Sequence, residues 1–358
     1  MTTALITGFP GFIGRRLVRA LLDRDADLRV VALVEARMAT TARQLAEPVA
    51  DRVEVVAGDI AEPRLGLGQA DYTRLISEVT HVFHLAAIYD LAVPVELAQR
   101  VNVDGTGNVL ELCAAATQLE RLAYVSTAYV AGLRHGVVYE HELIMGQGFK
   151  NHYESTKFQA EVWVREYLDR VPTTILRPAI VVGDSRTGET EKFDGPYYIL
   201  RAISRAQRFG RPIVQFGAAG APFNVVPVDF VVAAIVAAAF AEDAVGETLH
   251  LVDPDPLTSR ELVSCLSRHY SGRAPQGKIP PKLVESALEY GRVRDFMGGT
   301  PRESIAYLNH SVRFEARRAT ALLAEHGLRP PRFTDYAATM VRFFREHEDD
   351  PAFSPKKG

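Results

Sequence analysis

Apolar residues recur along this chain with two alternating periods. Short runs rich in aliphatic and β-branched residues fall near 3–7, 29–34, 53–57, 81–86, 122–126, 173–177 and 247–252, and each reads as a strand. Between them the apolar positions switch to helical spacing, as in Phe12, Ile13, Leu17, Ala20 and Leu21, or in Phe158, Val162, Val164 and Leu168. Strands alternating with helices are the signature of βαβ units, so the pattern predicts an α/β fold built on a doubly wound parallel sheet. The run from Phe230 to Ala241 is apolar throughout, yet it is shorter than the about 20 residues that cross a bilayer. It reads as a buried helix, and no membrane span is predicted.

Two motifs sit at the joints of this pattern. The first strand runs into Thr7-Gly8-Phe9-Pro10-Gly11-Phe12-Ile13-Gly14, with a helix predicted over 12–23. Glycines permit a tight strand-to-helix turn and let main-chain N–H groups approach a pyrophosphate at the positive end of a helix. Gly14, on the first turn, lets helix and strand pack closely. The second motif is Tyr153-Glu154-Ser155-Thr156-Lys157, at the head of another helical pattern. Side chains four apart share a helix face, so the Lys157 ammonium can approach the Tyr153 phenol. A cation there favours the phenolate and lowers a pKa that starts at about 10, which suits a general acid. Taken singly, the first motif also fits a glycine-rich surface turn and the second a solvated pair on a helix. Together and in this order they point to hydride transfer.

Composition acts mainly by exclusion. With 41 basic and 44 acidic residues the net charge is −3, and no basic block stands out, so no nucleic-acid partner is expected. Cys113 and Cys265 form no C-x-x-C pair and are expected to be reduced thiols in a cytoplasmic protein. The ten histidines form no ligand set; His84 falls in a strand, and His135, His141 and His152 in loop-like sequence. No metal site is predicted. The first strand begins at once, which leaves no room for a signal peptide, and the polar tail 347–358 reads as frayed.

Further segments, in order, carry a resemblance to a known family. They are Gly58-Asp59-Ile60, His81-Val82-Phe83-His84-Leu85-Ala86-Ala87, Asn102-Val103-Asp104-Gly105-Thr106 at a helix start, Tyr124-Val125-Ser126-Thr127-Ala128-Tyr129-Val130, and Arg177-Pro178. With the two motifs above, they make the chain resemble an extended short-chain dehydrogenase/reductase. The resemblance implies that Asp59 and Ile60 lie against the adenine and that Leu85, Ala86 and Ala87 pass beside the cofactor. It places Pro178, with Arg177, beside the nicotinamide. It makes Thr127 the hydroxyl that holds the substrate oxygen, with Ser126 as the alternate, and Tyr153 the proton donor. Lys157 then positions the cofactor ribose, and Asn102 supports the site. A core strand threonine is the plain alternative for Thr127.

Asn151-x-Tyr153-x-x-Thr156-Lys157-x-x-Ala160-Glu161, with Arg177-Pro178 through Gly188, is similar to the thioester-reductase branch, which includes fatty acyl-CoA reductases. That similarity implies an acyl thioester, on CoA or a carrier, reduced to an aldehyde, with onward reduction to the alcohol left open. Family likeness favours NADP(H), with Arg37 or Arg43 to meet a 2′-phosphate. Glu35, 21 residues beyond Gly14, suits the ribose hydroxyls of NAD(H). Two other readings use the same residues. One is a reductase or dehydrogenase of ketones or hydroxysteroid-like alcohols. The other is a nucleotide-sugar epimerase or dehydratase gripping a diphosphate through Arg201, Arg205, Arg208 and Arg211.

The expected organisation is a dinucleotide-binding domain over 1–183, with 224–252 returning to it. A smaller substrate-binding cap follows, from 184–223 and 253–346. In the first cap segment Phe193, Tyr197, Tyr198, Ile199, Leu200 and Phe209 read singly as cap core and jointly as the lining of an acyl tunnel. Leu283, Val284, Leu288, Tyr290, Phe296, Met297, Ile305 and Leu308 do the same in the second. Met297-Gly298-Gly299-Thr300-Pro301 reads as a hinge, and Asp229 as the N-cap of its helix. Family likeness also implies a homodimer through helices 97–117 and 153–169.

Overall fold

The computed structural model describes residues 2–89, 94–215, 220–279, 286 and 306–353. Seven strands form one parallel sheet: β1 (Thr3–Thr7), β2 (Arg29–Val34), β3 (Val53–Ala57), β4 (His81–His84), β5 (Arg121–Val125), β7 (Thr173–Pro178) and β10 (Thr248–Leu251). Their spatial order is β10-β7-β5-β4-β1-β2-β3. The chain winds from β1 outward through β2 and β3, returns to the other side of β1 at β4, and continues outward from there. Ligands of such sheets bind at the carboxyl ends of the strands where the winding reverses, here between β1 and β4. The strands expected from sequence agree with those observed to within two residues.

Helices α1 (Phe12–Arg24), α2 (Ala39–Ala46), α3 (Gln69–Glu78), α5 (Gly105–Ala115), α6 (His152–Glu166) and α8 (Val228–Phe240) flank the sheet. A short α4 (Val95–Ala98) and a π-helical turn (Gln99–Asp104) lead into α5. Leu17, Leu21 and Phe83 meet Val231 and Ile235 of α8 in the core on one face, while Leu5, Val82, Val109, Leu112, Tyr124 and Val164 form the core on the other. The apolar run of α8 is therefore a helix buried against the sheet and α1.

A second body of apolar residues lies beyond the carboxyl ends of the strands. It joins α7 (Pro196–Arg208), α9 (Ser259–Ser271) and α11 (Phe333–His347) through Phe193, Tyr197, Ile199, Leu200, Leu266, Leu308, Tyr336, Met340 and Phe344. Between α9 and α11 come β11 (Val312–Phe314), which pairs with β6 (Gly136–Val138), and α10 (Arg317–Glu325). The strands β8 (Ile180–Val182) and β9 (Val225–Pro227) pair at its base. Of the aromatics expected in this region, Phe209 is exposed. Leu283, Val284, Leu288, Tyr290, Phe296, Met297, Ile305 and the hinge expected at 297–301 lie outside the described residues.

Three local expectations are corrected. Asn102 does not start a helix but lies inside the helical run 95–115, in its π-turn. A π-turn inserts one extra residue and so redirects a side chain, here into the interior. Asp229 does not cap α8, whose N-cap is Pro227. Its carboxylate instead accepts the N–H (2.9 Å) and hydroxyl (2.6 Å) of Ser185. The tail does not fray at its beginning, because Phe353 stacks on Phe193 at 4.4 Å and Arg208 pairs with Glu348 and Asp349.

Candidate active site

The turn after β1 is built for close approach. Gly8 has φ +91°, and a Cβ on it would meet the Ala86 nitrogen at 3.0 Å, so glycine is required both by conformation and by the neighbouring loop. A Cβ on Gly14 would lie 2.5 Å from the Gly8 carbonyl oxygen, and one on Gly11 2.9 Å from the same atom. α1 therefore starts hard against the turn. Its N-cap, Gly11, brings no side chain to cap the helix, and its first turn holds no acidic residue. The positive end of α1 is thus left to an external anion.

The loop after β4 is tied to this turn by a buried relay. The Ala86 N–H donates to Thr7 Oγ1 (3.1 Å), which bonds His84 Nδ1 (2.7 Å), while His84 Nε2 bonds Thr106 Oγ1 (3.0 Å) and the Thr106 hydroxyl donates to the Asn102 carbonyl (2.7 Å). Thr106 must then accept from His84, which fixes the imidazole as the neutral Nε2–H tautomer with Thr7 donating to Nδ1. Burial, with the nearby Lys157, pushes the His84 pKa down to about 3, consistent with a neutral ring. Asn102 completes the tie: its Oδ1 accepts the Ile88 N–H (2.8 Å) and its Nδ2 donates to Thr156 Oγ1 of α6 (3.0 Å). Leu85, Ala86 and Ala87 are thereby held against Gly8 at the switch between β1 and β4.

At the end of β2, Glu35 accepts from Arg37 Nε at 2.7 Å, and both side chains are open to solvent. At the end of β3, Asp59 Oδ1 accepts the Ala61 N–H (2.9 Å), and Ile60 packs beneath Gly105. Pro178 is the last residue of β7 and is buried.

α6 and the end of β5 bring the chemistry-bearing groups together. The Asn151 side chain caps α6 by accepting the Glu154 N–H (2.9 Å), and its Nδ2 donates to the Tyr307 hydroxyl (2.9 Å). Lys157, 3% exposed, donates to the Val125 carbonyl at 2.8 Å and sits 4.5 Å from the centre of the Tyr124 ring. Burial, opposed by the Glu161 carboxylate, brings its pKa down to about 7. Thr127 Oγ1 accepts the Tyr129 N–H (3.3 Å), which leaves its own proton to donate, and it lies close to the Tyr153 phenol. Ser126 faces the other way and donates to Glu161 at 2.6 Å. Tyr89 stands edge-on to Tyr153, with ring centres 5.1 Å apart.

The phenol corrects the expectation of a lowered pKa. Burial and then the Glu154 carboxylate hold the Tyr153 pKa above its usual value, and the nearby Thr127 hydroxyl draws it back only in part. Arg177 is also corrected. It is fully buried and points away from the strand end, forking onto Glu161 (2.6 Å from Nη2, 3.1 Å from Nε) and donating to the Glu140 and Glu142 carbonyls. Motif and spacing give Glu161 no role and do not single out Tyr89 or Tyr307. For Glu161 a signal exists: a carboxylate four and eight residues beyond Lys157 and Tyr153 shares their helix face.

This arrangement fits a nicotinamide dinucleotide. An uncapped helix end would face a pyrophosphate, Gly8 and the Leu85–Ala87 loop leave room for close backbone approach, and Lys157 and Tyr153 lie beside the strand ends. Among the described residues no cluster of metal-ligating side chains occurs, and no helix is long and apolar enough to cross a membrane. Cys113 and Cys265 are free thiols.

Comparison with known proteins agrees with the geometry. A family model described as male sterility protein matches residues 6–235. The chain is 30% identical over 310 residues to the L-2-aminoadipate reductase large subunit of Penicillium chrysogenum, covering 78% of this chain and 21% of that one. It is 32% identical over 268 residues to the isonitrile lipopeptide synthase of Mycobacterium tuberculosis, covering 66% of this chain and 11% of that one. It thus spans about a fifth or less of the length of these curated relatives. Among solved structures, the terminal R domain of the myxalamid PKS-NRPS biosynthetic pathway superposes with TM-score 0.80 at 27% identity, covering 99% of this chain and 93% of that one. The reductase (R) domain of a nonribosomal peptide synthetase from Mycobacterium tuberculosis gives 0.73 at 23%, covering 97% and 92%, and shows the same fold. The chain belongs to the male sterility protein family and is an NAD(P)-dependent oxidoreductase of the extended short-chain dehydrogenase/reductase type.

Proposed function

We propose that this protein reduces an acyl thioester, presented by CoA or a carrier protein, to the aldehyde. The observation that carries the reading is the convergence of Thr127, Tyr153 and Lys157 at the strand ends, in a chain that matches a terminal R domain over 99% of its length. The reduced nicotinamide supplies the hydride. Thr127 donates a hydrogen bond to the thioester carbonyl oxygen and so stabilises the charge that gathers there. Tyr153 gives that oxygen a proton as the carbonyl carbon gains hydrogen. When the C–S bond breaks, the hydroxyl proton returns to Tyr153 and the thiol leaves with a proton from solvent, so the net change is one hydride and one proton taken up. The Tyr153 pKa is raised in the free protein, so the charge of Lys157, the substrate and the cofactor together would have to lower it for proton donation.

The same reading assigns Gly8, Gly11, Phe12, Ile13 and Gly14 to the pyrophosphate, Asp59 and Ile60 to the adenine, Leu85, Ala86 and Ala87 to the cofactor's path, and Pro178 to the nicotinamide. Asn102 holds the path loop. For the second nucleotide position we favour NADP(H): the bond from Arg37 to Glu35 offsets the carboxylate's charge and leaves the Arg37 Nη donors for a 2′-phosphate. The elements packed around Phe193, Tyr197 and Phe344 serve as a substrate-binding cap over the strand ends. Pairing of two copies through α5 and α6 belongs to the same proposal. The epimerase alternative loses support because Arg208 is engaged with Glu348 and Asp349, and Arg201 with the Phe353 carbonyl.

The test is nicotinamide absorbance with NADPH and NADH offered separately against a long-chain acyl-CoA, its aldehyde and a steroid ketone. Turnover of the thioester supports the reading. Turnover of the ketone or aldehyde alone overturns it in favour of a carbonyl reductase.

A further inference from the structure

Three consecutive residues at the end of β5 are each met by a different side chain of one face of α6. Lys157 holds the Val125 carbonyl (2.8 Å), Tyr153 meets the Thr127 hydroxyl, and Glu161 takes the Ser126 hydroxyl (2.6 Å). The helix and strand end are closed on one another by this set, and Glu161 is its one member with no part in the chemistry proposed above. Glu161 is completely buried, as is its partner Arg177. Both carboxylate oxygens are used: Oε2 by Ser126 and Arg177 Nε, and Oε1 by Arg177 Nη2 (2.6 Å) and Arg165 Nε (3.4 Å). A buried pair of this kind adds little net stability over an apolar replacement, so its retention beside the site calls for another account.

We propose that Glu161 is a positioning residue, which fixes Ser126 and hence Thr127 against Tyr153 and supplies the negative charge that keeps the neighbouring Lys157 ammonium protonated. The surroundings of Lys157 leave this task to Glu161. Toward Lys157, β5 presents the Tyr124 ring and β4 the neutral His84. β7 presents Arg177, whose charge is taken by Glu161, and α6 itself presents Tyr153, Glu161 and, farther along, the half-buried Arg165. His250 beyond Arg177 is held neutral, and Asp104 on the adjoining helical turn faces solvent. Removing the Glu161 charge would leave Lys157 with uncompensated cations behind it. Burial already disfavours its charged form, and Glu161 acts against burial.

The inference rests on the proposed role of Lys157, but its test does not need turnover. The chain has seven lysines, so 15N-lysine labelling gives few side-chain signals, and Lys157→Arg assigns the one from Lys157. In the full-length protein, Glu161→Gln keeps the shape and the hydrogen bond to Ser126 but lowers the Lys157 Nζ titration midpoint by at least about one pH unit. Glu161→Asp recovers part of the shift, and Ser126→Ala, which leaves the charge in place, moves the midpoint by less than half as much. If Glu161→Gln fails to fold around an unpaired Arg177, the neutral pair Glu161→Gln/Arg177→Gln takes its place, with a smaller downward shift expected because one cation leaves with the carboxylate. An unchanged Lys157 midpoint in a folded variant overturns the proposal. A shifted midpoint in a protein that turns over no thioester upholds it while overturning the thioester reading.

Discussion

Gly14→Ala probes the geometry on which cofactor binding depends. The added Cβ would lie 2.5 Å from the Gly8 carbonyl oxygen and 2.9 Å from its carbon, where ordinary contacts begin at 3.4 Å. Both atoms are backbone, so no side chain can swing aside; α1 or the turn must retreat by most of about 1 Å. Overpacking of this kind costs roughly 1–3 kcal/mol. At about 2–4 °C per kcal/mol for a domain of this order of size, Tm falls by on the order of 5 °C. The larger effect is on the cradle. Charge-assisted hydrogen bonds contribute roughly 1.5–3 kcal/mol each, so losing the aim of one N–H weakens cofactor binding about 10- to 100-fold. Titration of NADPH fluorescence measures this, with Gly68→Ala as the control because nothing lies within 4 Å of a Cβ there. A Gly14→Ala protein with the parent's Kd and Tm would refute the close packing of turn and helix.

The site makes further predictions. Thr127→Val should lower kcat about a hundredfold with little change in cofactor affinity, whereas Ser126→Ala, whose hydroxyl faces Glu161, should cost under tenfold; equal losses in the two variants would reverse the assignment. His84 and His250 are buried with pKa values near 3, against 6.5 when unfolded. The unfolded chain therefore binds protons that the folded one refuses between about pH 6.5 and 3, and stability falls as pH drops through that window. Calorimetry at pH 5 should show His84→Gln taking up about one proton fewer on unfolding than the parent, and equal uptake would contradict a neutral His84. Arg37→Ala should raise KM for NADPH at least about tenfold while leaving KM for NADH within a factor of about two; parallel changes would remove Arg37 from the 2′-phosphate.

Much of this molecule is legible in its sequence because its strands are short continuous apolar runs and its helices carry clear periodicity. The glycine spacing and the Tyr153–Lys157 pair depend on local geometry alone, and they fall where the pattern puts them. What stays hidden depends on tertiary surroundings. Asn102 sits in a π-turn, which no periodicity announces, and Asp229 spends its carboxylate on Ser185 from a distant loop. The acidity of Tyr153 escapes a sequence argument because a helix face brings Lys157 near without revealing how deeply the phenol is buried. Arg177 reads as a site residue through the family resemblance of Arg177-Pro178, and only packing shows it turned onto Glu161.

Replacing the phenol alone, as Tyr153→Phe, separates chemistry from binding when NADPH oxidation on an acyl thioester is followed alongside NADPH affinity. Turnover should fall at least about a hundredfold, the scale of a lost general acid, with cofactor binding retained. Thioester turnover that survives the loss of the phenol would contradict proton donation by Tyr153 and, with it, the proposed reduction.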